Sequence, residues 1–453
     1  MEAKVVWLFV FVALYWCYCI FWGVKSAMSA KTATDYFIAG RRLSIWVFVL
    51  AATATSFSGW TFMGHPGLIY RDGFQYAYAS FYAITIPFTG VMFLKRQWML
   101  GKRFGYVTPG EMLSDYFQGD AIRILVVMVA LLFSIPYLGV QLGASGFLFN
   151  VLTDDMISKN VGMWVLSAVV LVYVATGGLR AVAYVDTLQC ILLAFGIVSI
   201  GFIAYSFLGG FGAFNDAMAE LGKSEVGKWG MTPDGHNAYL AIPGVIQFTA
   251  GLGVETPVGG LWTGMMCLTY MFALMGIQSA PAFSMWSFAN TDPRPFAPQQ
   301  VWASSFGIGL ILFVFTAAQG MGAHFMGASP EITAIGGINA VLPDLTANGQ
   351  GGLVPHYINL VGETAPWFVG LLAVCALAAM QSTGAAYMST AGGMLTRDLY
   401  KRYLNPDASH ATQKMFGRLG VAFSVISALL VATYSADALV LLGGLAVAFG
   451  FQM

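Results

Sequence analysis

Long apolar runs alternate with short polar clusters along the chain. A helix needs about 20 mainly apolar residues to cross a hydrocarbon core of ~30 Å. Ten stretches meet that length, at 5–25, 43–68, 75–97, 124–152, 161–178, 184–208, 259–288, 300–326, 366–394 and 415–435. An eleventh starts at 437 and ends in Gly450-Phe451-Gln452-Met453 with no charged flank or aromatic belt. A helix cut short in a fragment of a longer chain is the expectation there. Two runs are interrupted by small, polar and helix-breaking residues: the second by Ala54-Thr55-Ser56-Phe57-Ser58-Gly59, the seventh by Gly276-Ile277-Gln278-Ser279-Ala280-Pro281. Unwound backbone at those points costs several kcal/mol unless an ion, water or neighbouring chain satisfies its carbonyls.

The connections carry fewer signals. The longest, 209–258, holds an amphipathic stretch at 213–221 and a Gly-rich part at 251–260, expected to dip into the membrane or cap one face. A further short helix is predicted near 338–345, within the connection 329–363. Long connections with helices of their own are expected to act as caps or gates.

The two interruptions lie five spans apart. Paired broken helices at corresponding positions of two halves are the sequence mark of a transporter built from inverted repeats, with its site at the midplane. The chain is accordingly read as one transporter domain over 1–453: a peripheral helix at 5–25, a first repeat at 43–208 and a second at 259–453 with its last helix incomplete.

Composition narrows the class. Hydrophobic residues make up 58% of the chain and charged residues only 9%, with a mean hydropathy of +0.72, against about 25% charged in soluble domains. A water-soluble fold is excluded, and nothing suggests nucleic acid or an obligate protein partner. Basic residues are retained on the cytoplasmic side during insertion. With the N-terminus outside, only Lys4, Arg71, Lys159, Lys223 and Lys228 of the 21 Lys and Arg fall on the outer side, so a periplasmic N-terminus in a bacterial cytoplasmic (inner) membrane is expected. The first run is too long for a signal peptide and opens on Glu2 against Lys4, so it is read as an uncleaved helix. Cys17, Cys19, Cys190, Cys267 and Cys375 all fall inside spans without metal spacing. No nucleophile–base pair, metal cluster or phosphate loop points to an enzyme.

Three stretches bear a specific likeness: Ser58-Gly59-Trp60 with Met63-Gly64-His65-Pro66-Gly67; Gly177-Gly178-Leu179-Arg180-Ala181-Val182 with Asp186-Thr187-Leu188-Gln189; and Ala378-Ala379-Met380-Gln381-Ser382-Thr383 with Leu395-Thr396-Arg397-Asp398-Leu399-Tyr400-Lys401. From Asp35-Tyr36-Phe37 to its end the chain resembles the sodium:solute symporters. The resemblance implies an all-α polytopic membrane protein with a leucine-transporter-like 5+5 inverted repeat and one extra N-terminal helix. It also implies uptake of a small organic solute with Na+. By similarity to the proline-permease branch, sodium would be held by the side-chain oxygens of Ser382 and Thr383 and the carbonyls of Ala54, Phe57 and Ala379. Such a set suits a hard cation, because it supplies oxygens without burying net negative charge. On their own, Ser382 and Thr383 could equally bond back to their helix or join neighbouring helices. Members with a second sodium site use serines where this chain has Ala385 and Ala386, so one sodium per cycle is expected. Asp186 is expected at the cytoplasmic mouth near Arg180, as an ion exit or as a helix-end partner. Ser56 stands where the proline branch has an aspartate.

The solute cavity is expected between the second, fourth and seventh spans, lined by Ser58, Tyr137, Gln141, Gln278, Ser279 and Pro281. Pro136, Tyr137 and Gln141 put a ring and an amide one helical turn apart, suited to a carboxylate or amide. Ala273 and Ile277 replace a tryptophan and a tyrosine of the proline branch, which argues against proline. The Ile135-Pro136-Tyr137 and Val140-Gln141-Leu142 pattern is similar to that of monocarboxylate-transporting members. With few ionised side chains in the spans, a carboxylate would rest on helix dipoles and neutral donors. His65 is expected to face the outer vestibule as a solute contact or gate, or to be a packed histidine. A channel, a proton-coupled carrier, a neutral amino acid symporter and the input domain of a larger histidine kinase share this layout. Proton coupling would need an intramembrane relay, for which Asp186 and His65 are the candidates.

Overall fold

The computed structural model describes residues 2–85, 87–224, 240, 264–346 and 349–434. Among these, the only strand-like pairing is an isolated bridge between Leu43 and Asn290. The chain runs through α1 (Ala3–Ser29), α2 (Ile45–Ser56), α3 (Trp60–Asp72), α4 (Phe74–Phe104), α5 (Pro109–Phe117), α6 (Asp120–Leu152), α7 (Lys159–Leu208) and α8 (Gly210–Lys223). It continues through α9 (Gly264–Ser279), α10 (Pro281–Ala289), α11 (Phe296–Ala328), α12 (Pro330–Gly336), α13 (Gly349–Asn359), α14 (Pro366–Leu404) and α15 (His410–Tyr434). Seven helices are long and apolar enough to cross a bilayer, or nine if α2–α3 and α9–α10 are each one bent span. Separating the two arms of α7 makes ten.

The arms of α7 are separate spans for a local reason. Its 50 residues would reach ~75 Å as one rod, more than twice the hydrocarbon thickness. The helix breaks at Gly178, whose φ of 61° and ψ of −159° lie outside the helical region. A Cβ there would come within 2.2 Å of the Tyr36 carbonyl, so only glycine fits. Adjacent residues of α1 touch both arms: Gly23 lies against Tyr173 and Trp22 stacks on Tyr184 (4.4 Å), although a continuous helix would hold residues 173 and 184 about 16 Å apart. The spans read at 161–178 and 184–208 are thus the two arms of one element folded at a glycine.

Two further spans are bent at the interruptions read in the sequence. α2 meets α3 at 52°, and α9 meets α10 at 43°. At the first bend Phe57 is extended (φ −118°, ψ 102°). At the second, Ala280 takes ψ 148°, because the ring of Pro281 excludes the helical region for the residue before it.

Packing follows from side-chain spacing. α1 buries Val5, Leu8, Val12, Tyr15, Cys19, Gly23 and Ser26, which recur every three or four residues on one face. Leu14, Phe21 and Met28 on its other faces are exposed. The buried face lies on α7 and α14, and Lys4 fastens its N-terminal end to Asp154 (2.9 Å) and Asn359 (3.0 Å). α14 is the central helix, with 89% of its most apolar window buried; Ala378, Ala379, Gly384, Ala385 and Ala386 let its neighbours approach closely.

The connections need one correction. The stretch 213–221 lies in α8, as its pattern suggests, but 338–345 is not helical. Pro343 has no N–H to give a helix, and the segment instead lies along the end of α11. There the Val341 and Leu342 N–H groups donate to Met326 O (2.7 Å each), and the Leu345 N–H donates to Ala328 O (3.0 Å). The helices of that connection are α12 and α13. The Gly-rich part at 251–260 and the run from 437 onward lie outside the described residues.

At one end of the bundle α5, α6 and the tip of α14 meet in an ionic cluster. Asp398, fully buried, accepts from Arg123 Nε (2.8 Å) and the Thr108 hydroxyl (2.9 Å). Glu111 accepts from Arg397 Nε (2.9 Å) and the Val107 N–H (2.7 Å). A Cβ at Gly110 would lie 2.7 Å from the Asp398 carboxyl, so glycine lets α5 close on α14. A cavity of about 650 Å³ beside the cluster is lined by charges of both signs, including Glu111, Asp115, Arg123 and Arg402. It is remote from both bends.

Candidate functional site

The first bend opens directly onto α14. Unwinding at Phe57 turns the last carbonyls of α2 toward the central helix, where Ser382 and Thr383 sit side by side. The Ser382 hydroxyl donates to Ala54 O (3.0 Å) and also lies 3.2 Å from Ala379 O. Thr383 donates to Thr55 O at 3.1 Å. All five residues are buried. The structure therefore brings Ala54, Ala379, Ser382 and Thr383 together, and adds the Thr55 carbonyl, which sequence reading did not single out. Phe57 forms the extended link beside them and donates its N–H to Ala54 O (3.3 Å). Hard cations of calcium's size hold oxygens at 2.3–2.6 Å, which spaces neighbouring ligands of an octahedron roughly 3.4 Å apart. The Ser382 contacts, at 3.0 and 3.2 Å, approach that spacing, and neutral oxygens are the donor type such an ion takes.

α6 covers the same bend. Tyr137 donates its hydroxyl to Ser58 Oγ (3.0 Å), and Gln141 Oε1 accepts from the Gly59 N–H (2.7 Å). Gln141 Nε2 turns back to Tyr137 O (3.1 Å). Gln141 thus caps the broken helix with one end of its amide and ties to its own helix with the other. A Cβ on Gly59 would fall 2.9 Å from Gln141 Oε1 and 2.6 Å from Met380, so glycine permits this closeness.

Asp186 is not at an open mouth. It is fully buried, and its Oδ2 lies 3.4 Å from the Thr55 hydroxyl, which also lies 3.1 Å from Ala51 O and accepts from Trp286 Nε1 at 3.2 Å. The fold at Gly178 carries Asp186 behind α2, while Arg180, two residues past the hinge, stays half-buried. Asp186 is thus one residue removed from the Ser382–Thr383 cluster through Thr55.

His65 is likewise not open to a vestibule; it is fully buried in the middle of α3. Its Nδ1 meets the hydroxyls of Tyr76 (3.2 Å) and Tyr82 (3.0 Å), and Nε2 meets Ser80 Oγ (3.0 Å). Tyr270 of α9 packs edge-on against both tyrosine rings. Tyr76, Tyr82 and Tyr270 thereby join α4 to α9.

The second bend is built differently. Pro281 starts α10, and Ser279 is half-buried beside it. Gln278 is fully buried, and its Oε1 accepts from Gln300 Nε2 of α11 at 3.3 Å. Gln300 also meets Gln299, which donates to Thr53 (3.1 Å) and Ser304 (2.9 Å). Thr89 of α4 donates to Met275 O at 2.6 Å. Gln299, Gln300, Thr53 and Ser304 were missed from sequence. The only available signal was two adjacent amides at the start of an apolar run.

Two discontinuous helices crossed by a small-residue central helix, with hydroxyls and carbonyls gathered at the first break, define a secondary transporter. The sodium:solute symporter family model matches residues 36–449. The chain is 25% identical over 439 residues to the sodium/glucose cotransporter of Vibrio parahaemolyticus, covering 93% of this chain and 72% of that protein. It is 23% identical over 429 residues to the sodium/proline symporter of Escherichia coli K12 (90% and 73%). It is 22% identical over 431 residues to the sodium-coupled monocarboxylate transporter 2 of Mus musculus (91% and 61%). A solved Na+-coupled sialic acid symporter, in a substrate-bound outward-open state, superposes with a TM-score of 0.73 at 18% identity, over 99% of this chain and 86% of that one. This chain belongs to the sodium:solute symporter family. It is a multi-pass membrane protein of the leucine-transporter-like fold and a sodium-coupled solute symporter, not an enzyme.

Proposed function

We propose that the protein imports a small organic acid, a monocarboxylate by preference, with one sodium ion per cycle by alternating access. The reading places it in a bacterial cytoplasmic membrane with the N-terminus periplasmic, so that the basic rim of Arg123, Arg397 and Arg402 faces the cytoplasm. The observation that carries the reading is the convergence of the Ser382 and Thr383 hydroxyls on the carbonyls of Ala54, Thr55 and Ala379 at the first bend. In this reading those oxygens, with the Phe57 carbonyl, ligate sodium, and Asp186 behind Thr55 draws the ion along its way out. Ser58 and Tyr137 contact the solute from the first bend, while Gln278, Ser279 and the N-terminus of α10 at Pro281 receive it at the second. Gln141 acts by holding Gly59 in place. His65 organises the aromatic layer that closes over the solute.

A carboxylate is favoured because the site offers neutral donors and the positive end of α10. The tyrosine-rich layer and the lack of a second buried carboxylate beside the bends, among the described residues, leave a cation without a counter-charge. The test is sodium-driven uptake of labelled lactate, pyruvate, acetate and proline into proteoliposomes holding the full chain. Saturable uptake of at least one monocarboxylate, with a sodium Hill coefficient near one, is expected. Uptake of proline alone, or clear sigmoidicity in sodium, overturns this reading.

A further inference from the structure

Resting on the monocarboxylate reading, the geometry points to Gln278 and Gln300 as a paired amide that selects a 2-hydroxy monocarboxylate over its 2-keto and unsubstituted counterparts. Both side chains are fully buried, and they touch through Gln300 Nε2 and Gln278 Oε1 at 3.3 Å. A contact between two amides uses one donor and one acceptor. It leaves one of each, and here the two that remain, Gln278 Nε2 and Gln300 Oε1, have no hydrogen-bond partner among the described residues. Native proteins seldom bury such atoms unpaired, because each forfeits its hydration. These two belong to side chains in direct contact at the bend where a transporter of this fold opens its backbone to cargo.

The remaining donor and acceptor describe a solute. A carboxylate only accepts, so it takes the Gln278 N–H and leaves Gln300 Oε1 unanswered. A hydroxyl on the adjacent carbon donates and answers it. A keto group in that place puts a second acceptor against Gln300 Oε1, and acetate puts nothing there. An α-ammonium would also donate, but among the described residues no buried carboxylate lies beside these amides to receive its positive charge. The position of Gln300 is itself set by the fold. A Cβ on Gly90 would lie 2.4 Å from Gln300 Oε1, so the oxygen occupies the space that the absent side chain leaves.

Sodium-dependent binding of labelled L-lactate to the purified full chain, competed by pyruvate, acetate and L-alanine, tests the assignment. Lactate should bind about tenfold more tightly than pyruvate or acetate, the worth of one buried hydrogen bond, and alanine should compete poorly. Gln300→Leu should bring the lactate-to-pyruvate ratio toward one, and Gly90→Ala, which displaces the same oxygen, should do so independently. Gln278→Leu should weaken lactate and pyruvate alike. Wild-type ligand-induced thermal shifts, larger for lactate than for pyruvate, give the same answer if a variant fails to fold. Equal binding of lactate and pyruvate by the wild type, or a ratio unmoved by both Gln300→Leu and Gly90→Ala, overturns the pairing and leaves the monocarboxylate reading intact. If no monocarboxylate binds at all, the underlying reading falls and this one with it.

Discussion

The two broken spans solve the same backbone problem with opposite chemistry. At the first bend the exposed carbonyls are answered by alcohols: Ser382 on Ala54, Thr383 on Thr55, with Gln141 capping Gly59 and Tyr137 on Ser58. At the second, the Thr89 hydroxyl answers Met275 O, but the fully buried side chains that meet there are amides, and two of their atoms, Gln278 Nε2 and Gln300 Oε1, have no hydrogen-bond partner among the described residues. Alcohol and carbonyl oxygens are compact, neutral ligands whose mutual hydrogen bonds hold a cation-sized cluster together. Primary amides are longer and carry both donor and acceptor, which suits them to reading a solute with functional groups of its own. Oxygens alone suit an ion, and mixed donors and acceptors suit an organic molecule.

That contrast predicts separable losses. The double variant Ser382→Ala with Thr383→Ala should raise the sodium concentration for half-maximal uptake roughly 100-fold, two buried hydroxyl ligands at about 1.4 kcal/mol each. The protein should still insert and melt cooperatively, and an unchanged sodium titration would remove the ion from the first bend. Gln278→Leu should weaken solute binding about tenfold while the sodium midpoint stays within about twofold, as paired titrations would report. A sodium midpoint that moved as far as the solute affinity would erase the division of labour. Gln141→Leu tests the seam between the two. It frees Gly59, so sodium and solute midpoints should move together by about threefold to tenfold; a shift in solute affinity alone would make Gln141 a direct solute contact. The smallest effect is expected from Asp186→Asn. The amide fills the same space beside Thr55, so the Hill coefficient should stay near one and the sodium midpoint move no more than about threefold. Loss of sodium dependence in this variant would shift the ion site toward α7.

How much was legible beforehand differs between the bends for a physical reason. The first announced itself through local chemistry: Ala54-Thr55-Ser56-Phe57-Ser58-Gly59 gathers small, polar and helix-breaking residues inside an apolar run, and Ser382-Thr383 closes the stretch 378–383 that resembles the sodium:solute symporters. The second was visible only in part. Pro281 marked the break, but the partner of Gln278 comes from α11, and neither spacing nor composition couples residue 278 to residue 300. Asp186 and His65 show the same limit. Each is a titratable group near a helix end, a position that in isolation suggests water. The fold at Gly178 and the closure of Tyr76, Tyr82 and Tyr270 around His65 put both in the interior.

Hydropathy alone determined the membrane class and marked the apolar runs, because the cost of lipid-exposed polar backbone falls within each span. The breaks were determined the same way, since glycine, proline and hydroxyl side chains act on their own backbone. Which hydroxyl meets which carbonyl, and which amides meet, was decided only when separate helices were packed together, over sequence distances from 22 to 328 residues. Those contacts depend on crossing angles and on glycines such as Gly59, Gly90 and Gly110 that admit a neighbour's side chain, and one-dimensional patterns do not record where a neighbour will come from.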